Sequence, residues 1–155
     1  MLVVVYKVFA GLLLATFVGV GIAAFAPEPR FPEPPIAVMR PVAAGERSPE
    51  VQREREEFQR VTRDFRVELG IYNRNVSAVS AVAAIVMLVL SLTVLRRIDL
   101  FSDGFLLGGI LTFGYSILRG FSAEDNTFRF VVVSIGLLIA LGLGYVRFIR
   151  PAGGT

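Results

Sequence analysis

The sequence predicts an all-α integral membrane protein with four transmembrane helices, a proline-rich extended segment and a long amphipathic helix between the first two spans. Composition is the first reason: 54% of the 155 residues are hydrophobic and only 19% are charged, whereas about 25% are charged in a soluble domain. Distribution is the second, because the apolar residues form four blocks. These blocks approach the roughly 20 residues that a spanning helix needs.

The blocks divide the chain into segments that we number in order. The first block could be a signal peptide, but its apolar run exceeds the roughly 7 to 15 residues of a signal core, so we expect a retained anchor. The third block is short, and a partly re-entrant segment is its alternative. The predicted segments are TM1 at 1–26, the proline-rich segment at 27–48, the amphipathic helix at 49–75, TM2 at 76–95, TM3 at 98–119, TM4 at 123–149 and a short tail at 150–155.

Most of the 8 prolines fall in the segment after TM1. Proline fixes φ and biases its predecessor towards extended geometry, so we expect an extended, semi-rigid spacer. A ligand for an aromatic groove is the alternative interpretation.

Start signals mark the amphipathic helix, with Ser48 as N-cap and Pro49 at the first helical position. The helix is expected to run towards TM2, and Gly70 is the natural place for a bend. Oppositely charged side chains four residues apart are predicted to pair along it: Arg53 with Glu57, Glu56 with Arg60, and Arg60 with Asp64.

One narrow apolar stripe follows the 3.6-residue period of this helix. It consists of Val51, Phe58, Val61, Phe65, Leu69 and Tyr72. Three coverings are open: packing in cis against Phe31, Ile36, Val38 and Met39 of the proline-rich segment, contact in trans with a protein partner or copies of the chain, or the membrane surface. The last is weakest, because interfacial helices tend to be rich in Lys and Arg, while this helix is nearly balanced in charge.

Small residues recur at four-residue spacing within the predicted spans, and such rows let helix backbones approach closely in lipid. Packing within one bundle is the favoured interpretation, and a dimer face or partner seam is the alternative. The predicted helix-packing residues are Gly11, Ala15, Gly19, Gly104, Gly108, Gly136, Ala140 and Gly144.

Missing residue types exclude most chemistry. The sequence has no cysteine and no histidine, which removes disulfides, thiolate nucleophiles, iron–sulfur ligands and the commonest general base and metal ligand. We therefore predict no enzyme, no catalytic or metal-binding residues and no cofactor. Nucleic acid is not expected as a partner, because the arginines alternate with acids or flank apolar blocks.

We expect the polar residues at the ends of the spans to have structural roles. Lys7 and Arg119 are expected to snorkel to the interface. Ser122 is expected to cap the fourth spanning helix in a capping box with Asp125, and Asp125 is expected to pair with Arg129.

The predicted function is a small non-enzymatic accessory, scaffold or assembly subunit of a membrane complex, in contact with lipid and with a protein partner or further copies. The alternative is a small oligomeric transporter or channel, with a pore lined by Thr112, Tyr115, Ser116 and Ser134. Lys7 is the only lysine among 16 basic residues, an arginine bias that suggests a bacterial inner membrane. Lys7 beside TM1 favours cytoplasmic termini and an extracytoplasmic segment 27–75.

Overall fold

A computed structural model describes residues 1–39, 49–93, 95, 98–123 and 125–145. At Ala37, Val38 and Asp99 it describes the backbone alone. The expected cap at Ser48 and the predicted tail at 150–155 lie outside this range. The described helices are α1 (Leu2–Phe25), α2 (Ile36–Met39), α3 (Pro49–Leu92), α4 (Asp99–Ser122) and α5 (Asn126–Gly144).

Four of these helices are long and apolar enough to cross a membrane, namely all except the short α2. Within the described part of the chain no strand occurs. For the described residues, the prediction of an all-helical fold with four candidate membrane spans is therefore confirmed. The third candidate, α4, is an unbroken helix of 24 residues, so it shows no re-entrant break.

Helix α3 joins the charged segment and the second apolar block into one element of 44 residues. It stays helical through Gly70 and measures about 66 Å at ~1.5 Å per residue. Residues 49–75 of α3, which precede its apolar run, are called the stalk below. The stalk accounts for about 40 Å of that length.

Helix α4 is the centre of the bundle, since it packs extensively against both α3 and α1 and less against α5. Lys7 at the start of α1 contacts Asp103 at the start of α4, with 2.6 Å between Nζ and Oδ2. Glu28, just after α1, contacts Arg119 near the end of α4. Helices α1 and α4 are therefore parallel, and both point towards the stalk.

Two pairs of serines join α3 and α4 by reciprocal hydrogen bonds. The Ser77 hydroxyl donates to the Ser116 carbonyl at 2.8 Å, and the Ser116 hydroxyl donates back to the Ser77 carbonyl at 2.7 Å. Ser91 and Ser102 exchange the same two bonds at 2.7 and 3.0 Å. Because Ser77 meets Ser116 and Ser91 meets Ser102, α3 and α4 are antiparallel.

Small side chains spaced seven residues apart form the contact between α3 and α4. The small residues are Ser77, Ala84 and Ser91 on α3 and Ser102, Gly109 and Ser116 on α4. A seven-residue repeat keeps one seam of a helix facing its partner in a left-handed pair. At the midpoint a Cβ on Gly109 would lie 2.8 Å from Leu88 Cδ2 and 3.2 Å from the Ala84 carbonyl oxygen. A side chain at this position would therefore require Leu88 to move and the two backbones to shift apart.

Ser77→Ala is expected to lower the free energy of unfolding by about 0.6 kcal/mol, the average for interhelical hydrogen bonds in membrane proteins. Ser80→Ala is the matched control: Ser80 is equally buried on the same helix, but its hydroxyl has no hydrogen-bond partner within the described structure. Removing an unsatisfied hydroxyl is neutral or stabilising. Titration with SDS in mixed micelles measures both values. Equal losses in the two variants would contradict the assigned role of the serine pairs.

The start of α5 differs from the expected capping box. Helix α4 continues through Ser122, whose hydroxyl donates to the Leu118 carbonyl, so Ser122 lies inside one helix and does not cap the next. Asp125 is the N-cap and accepts hydrogen bonds from the Thr127 and Phe128 amides. Arg129 donates to the Ala123 carbonyl and the Asn126 side chain. The predictions of a Ser122 cap and an Asp125–Arg129 pair were therefore wrong.

Candidate functional site

A polar cluster around Arg119 holds the base of the stalk. Arg119 Nη1 donates to Asn73 Oδ1 at 2.9 Å and to Glu28 Oε1 at 3.3 Å, and Nε donates to the Tyr115 hydroxyl at 3.1 Å. The guanidinium carbon also lies 5.7 Å from the ring centroid of Tyr72. Arg119 therefore links α4, the stalk and the segment that leaves α1, and it does more than snorkel.

Because Asn73 is buried, the contacts around Arg119 are expected to matter for stability. Asn73 is only 3% exposed, so its side-chain oxygen depends on Arg119 for a hydrogen bond. At the opposite end of the bundle, Lys7 is likewise engaged with Asp103. A charge pair thus joins α1 to α4 near each end of the two helices.

The proline-rich segment returns along the stalk from this base. The Tyr72 hydroxyl donates to the Ala26 carbonyl at 3.1 Å, where the segment begins. Five residues further on, Phe31 meets Phe65 edge to face, with 5.3 Å between ring centroids and 82° between ring planes. Helix α2 then packs against α3. The segment therefore runs from the stalk base towards the stalk tip.

This covering leaves apolar surface open. Five residues of the predicted stripe, Val51, Phe58, Phe65, Leu69 and Tyr72, are half-buried, and Val61 is 44% exposed. The residues of the proline-rich segment that lie along the stalk are themselves exposed to solvent: Phe31 is 60%, Ile36 70% and Met39 66% exposed. The result is a surface, called the stalk patch below, formed by Phe31, Ile36, Met39 and Val61.

Charge on the stalk is arranged differently from the prediction. The side chains of Arg53 and Glu57, of Glu56 and Arg60, and of Arg60 and Asp64 do not approach within 4 Å. Exposed pairs at this spacing contribute only about 0.3–0.5 kcal/mol, so solvation of each charge by water competes well with pairing. The expected ion pairs along the stalk are therefore absent, and this prediction was wrong.

The predicted helix-packing residues fall into three groups. Gly11, Gly104 and Gly108 lie where α1 crosses α4: a Cβ on Gly104 would be 3.3 Å from Ala10 Cβ, and one on Gly108 would be 2.9 Å from Leu14 Cβ. Gly136 lies against the Phe113 ring between α4 and α5. Ala15 and Gly19 are half-buried, Ala140 is exposed, and around Gly19 and Gly144 no described atom lies within 4 Å of a Cβ position.

The small residues of α5 border a second open region. A cleft of about 610 Å³ separates α4 from α5, and its lining includes Phe113, Gly114, Gly136, Ala140 and Gly144. Among the described residues of the lining none is charged. The cleft lies between two helices that are apolar enough to span the membrane, so hydrocarbon chains of the bilayer have access to it.

Sequence reasoning overlooked two contributors to these contacts. Gly109 went unnoticed because rows of small residues were sought at four-residue spacing, whereas the α3–α4 seam uses seven. Asn73 gave a weaker signal, an amide placed directly before an apolar run. The Phe31–Phe65 contact, in contrast, belongs to the cis covering of the stripe, which is one of the three alternatives that the sequence left open.

Across the ranges that the structure covers, no group of three or more acidic side chains could hold a metal ion. The polar contacts at Arg119 and at the serine pairs are directed inwards and join helices. The stalk patch, by contrast, is exposed apolar surface.

No known protein family, curated protein sequence or solved structure matches this chain.

Proposed function

We propose that the protein is a non-enzymatic membrane scaffold or accessory subunit that presents its stalk to a protein partner. The observation that carries this proposal is the stalk patch. Phe31, Ile36 and Met39 are each at least 60% exposed, although they belong to the hydrophilic part of the chain. Outside a bilayer, several large apolar side chains exposed on one segment favour an interaction site.

Support also comes from how firmly the stalk is mounted. The stalk continues without interruption into the part of α3 that the serine pairs join to α4. Arg119 fixes its base through Asn73. A binding surface on such a support is preorganised, which lowers the entropic cost of association.

The proposed location is a bacterial inner membrane, with both termini in the cytoplasm and residues 27–75 outside it. Lys7 lies near the start of α1, and positive charge next to the first span favours the cytoplasmic side. The parallel course of α1 and α4 places the stalk and the α4–α5 turn together on the opposite side. In this orientation the partner is an extracytoplasmic or membrane-bound protein.

An oligomeric transporter is the less favoured alternative. Its proposed pore would need Thr112, Tyr115, Ser116 and Ser134 on a face between protomers. Thr112 and Ser116 are 1% and 0% exposed within a single chain, and Tyr115 is bonded to Arg119. The geometry therefore favours the scaffold over the pore.

Val61→Glu combined with Ile36→Glu is expected to abolish the partner interaction, because two carboxylates would be desolvated in an apolar contact. The full-length protein is purified from native membranes in mild detergent, and its mass and co-purifying proteins are compared with those of the wild type. We expect a discrete complex with the wild type and at least a tenfold loss of bound partner with the double variant.

Gln52→Glu combined with Gln59→Glu is the matched control, because both glutamines are exposed on the stalk and the same charge is added. This variant should retain the complex. Recovery of the wild type as a bare monomer, or equal partner recovery with both double variants, would refute the proposal. A complex containing copies of this chain alone would identify the partner as the protein itself.

A further inference from the structure

The base of the stalk carries a second surface, distinct from the stalk patch. A cleft of about 200 Å³ lies between α3 and the turn that joins α4 to α5. It is called the juxtamembrane cleft below. Its lining consists of Arg66, Val67, Gly70, Ile71 and Arg74 from α3, with Ala123 and Asp125 from the turn.

Two guanidinium groups flank the centre of this cleft. Arg66 and Arg74 lie four residues on either side of Gly70, so the three positions share one face of α3. Gly70 has no side chain, which leaves space between the two arginines. Both arginines are exposed, and within the described residues neither forms an ion pair or a hydrogen bond. Their donors are therefore free to bind an anion.

Apolar side chains lie beside these charges. Val67 is 64% exposed and Ile71 49% exposed, and both line the cleft. A small inorganic anion gains nothing from such neighbours. A phosphodiester, which carries carbon groups on both sides of its charge, uses both.

The height of the cleft matches the headgroup layer of a bilayer. Arg74 comes two residues before Val76, where the apolar part of α3 begins, and Ala123 follows the last residue of α4. Along the helix axis Arg74 lies about 3 Å and Arg66 about 15 Å beyond Val76. The headgroup region extends roughly 5–8 Å beyond each face of the hydrocarbon core, so Arg74 lies at its height, and Arg66 reaches its outer edge only with an extended side chain.

Asp125 is the one acid among the described residues of the lining. Its Oδ1 accepts hydrogen bonds from the Thr127 and Phe128 amides at 2.9 and 3.1 Å. The positive end of the α5 dipole stabilises this carboxylate. Among the described lining residues, two guanidinium groups therefore face a single carboxylate that already has partners.

We propose that the juxtamembrane cleft binds the phosphate group of an anionic phospholipid. Arg66 and Arg74 donate to the phosphate oxygens, a geometry for which the guanidinium fork is suited. Val67 and Ile71 contact the carbon atoms of the headgroup that are esterified to this phosphate. The site is independent of the stalk patch and adds a lipid ligand to the proposed protein partner.

Lipid binding is measured by native mass spectrometry of the full-length protein released from nanodiscs of phosphatidylglycerol mixed with phosphatidylcholine. The wild type should retain phosphatidylglycerol preferentially. Arg66→Gln combined with Arg74→Gln should lower that retention about 10- to 30-fold, since each basic residue near an anionic surface contributes about a factor of 5.

Gly70→Leu separates the cleft from general attraction to the membrane, because it fills the space between the arginines without changing charge. It should lower phosphatidylglycerol retention by at least fivefold, although leucine favours the helical conformation more than glycine does. Asn75→Leu is its control, since Asn75 is exposed at a similar height and does not line the cleft. This variant should bind lipid like the wild type.

Three outcomes would overturn the proposal. Equal retention of phosphatidylglycerol and phosphatidylcholine by the wild type would show no anion selectivity. Undiminished phosphatidylglycerol retention in Gly70→Leu would show that general surface charge, and not the cleft, binds the lipid. Displacement of the bound lipid by millimolar inorganic phosphate would assign the cleft to a free phosphate and refute the lipid as its source.

Discussion

Gly109→Leu should lower the free energy of unfolding by about 3 kcal/mol, the upper part of the range for overpacking a tight contact. Even a Cβ at this position would lie 2.8 Å from Leu88 and 3.2 Å from the Ala84 carbonyl oxygen. The Leu88 side chain can rotate away, but the α3 backbone cannot. The two helices would have to separate, which would also stretch the hydrogen bonds of both serine pairs. Titration with SDS in mixed micelles measures the loss.

Gly114→Leu is the control for this prediction. Gly114 belongs to the same helix, but within the described structure no heavy atom lies within 4 Å of its Cβ position, and it lines the α4–α5 cleft. Its replacement should change the stability by less than about 0.5 kcal/mol, because leucine has the better helix propensity and the cleft has room. A loss as large as that of Gly109→Leu would mean that the bulk of leucine, and not the α3–α4 approach, is responsible.

Arg119→Gln should lower the free energy of unfolding by about 2 kcal/mol, within the range for leaving a buried polar group without its partner. The variant removes the guanidinium from Asn73, which is 3% exposed. It also breaks the bonds to Tyr115 and Glu28. Besides the stability loss, we expect faster amide hydrogen exchange around residues 26–31 and 70–75, because the stalk base and the returning segment share this anchor.

Glu28→Gln tests the same cluster from its exposed end. The Glu28 side chain is 52% exposed and lies 3.3 Å from Arg119, and exposed ion pairs contribute about 0–1 kcal/mol. A loss below about 0.5 kcal/mol with unchanged exchange is expected. If Glu28→Gln proved as damaging as Arg119→Gln, the ion pair and not the Asn73 bond would hold the stalk base.

The fold class could be predicted because it depends on local properties. Runs of apolar residues are visible in the sequence, and a hydrocarbon core of about 30 Å accepts only structures that satisfy their own backbone hydrogen bonds. The cap of α5 shows the limit of local rules. Ser122 and Asp125 both have capping side chains, and the choice between them depends on where α4 ends, which its packing against α3 and α1 decides.

The contacts around the candidate site were harder to predict for a different reason. The bonds from Arg119 to Asn73 and Glu28 span 46 and 91 residues of sequence, and no periodicity links such positions. The stalk patch was predicted in part, because the stripe of α3 follows the helical period. Its other half, Phe31, Ile36 and Met39, comes from a proline-rich segment without a period, so its position on the stalk required coordinates.

The reciprocal serine pairs have a mechanical consequence. The pair at Ser77 and Ser116 and the pair at Ser91 and Ser102 lie about 21 Å apart along α3. A slip of one residue along the seam would move every hydroxyl about 1.5 Å past its acceptor, so all four bonds would have to break together. Helices α3 and α4 therefore behave as one strut under axial load. A pull along the stalk is therefore expected to load α4 together with α3, including the end of α4 where Asp103 meets Lys7.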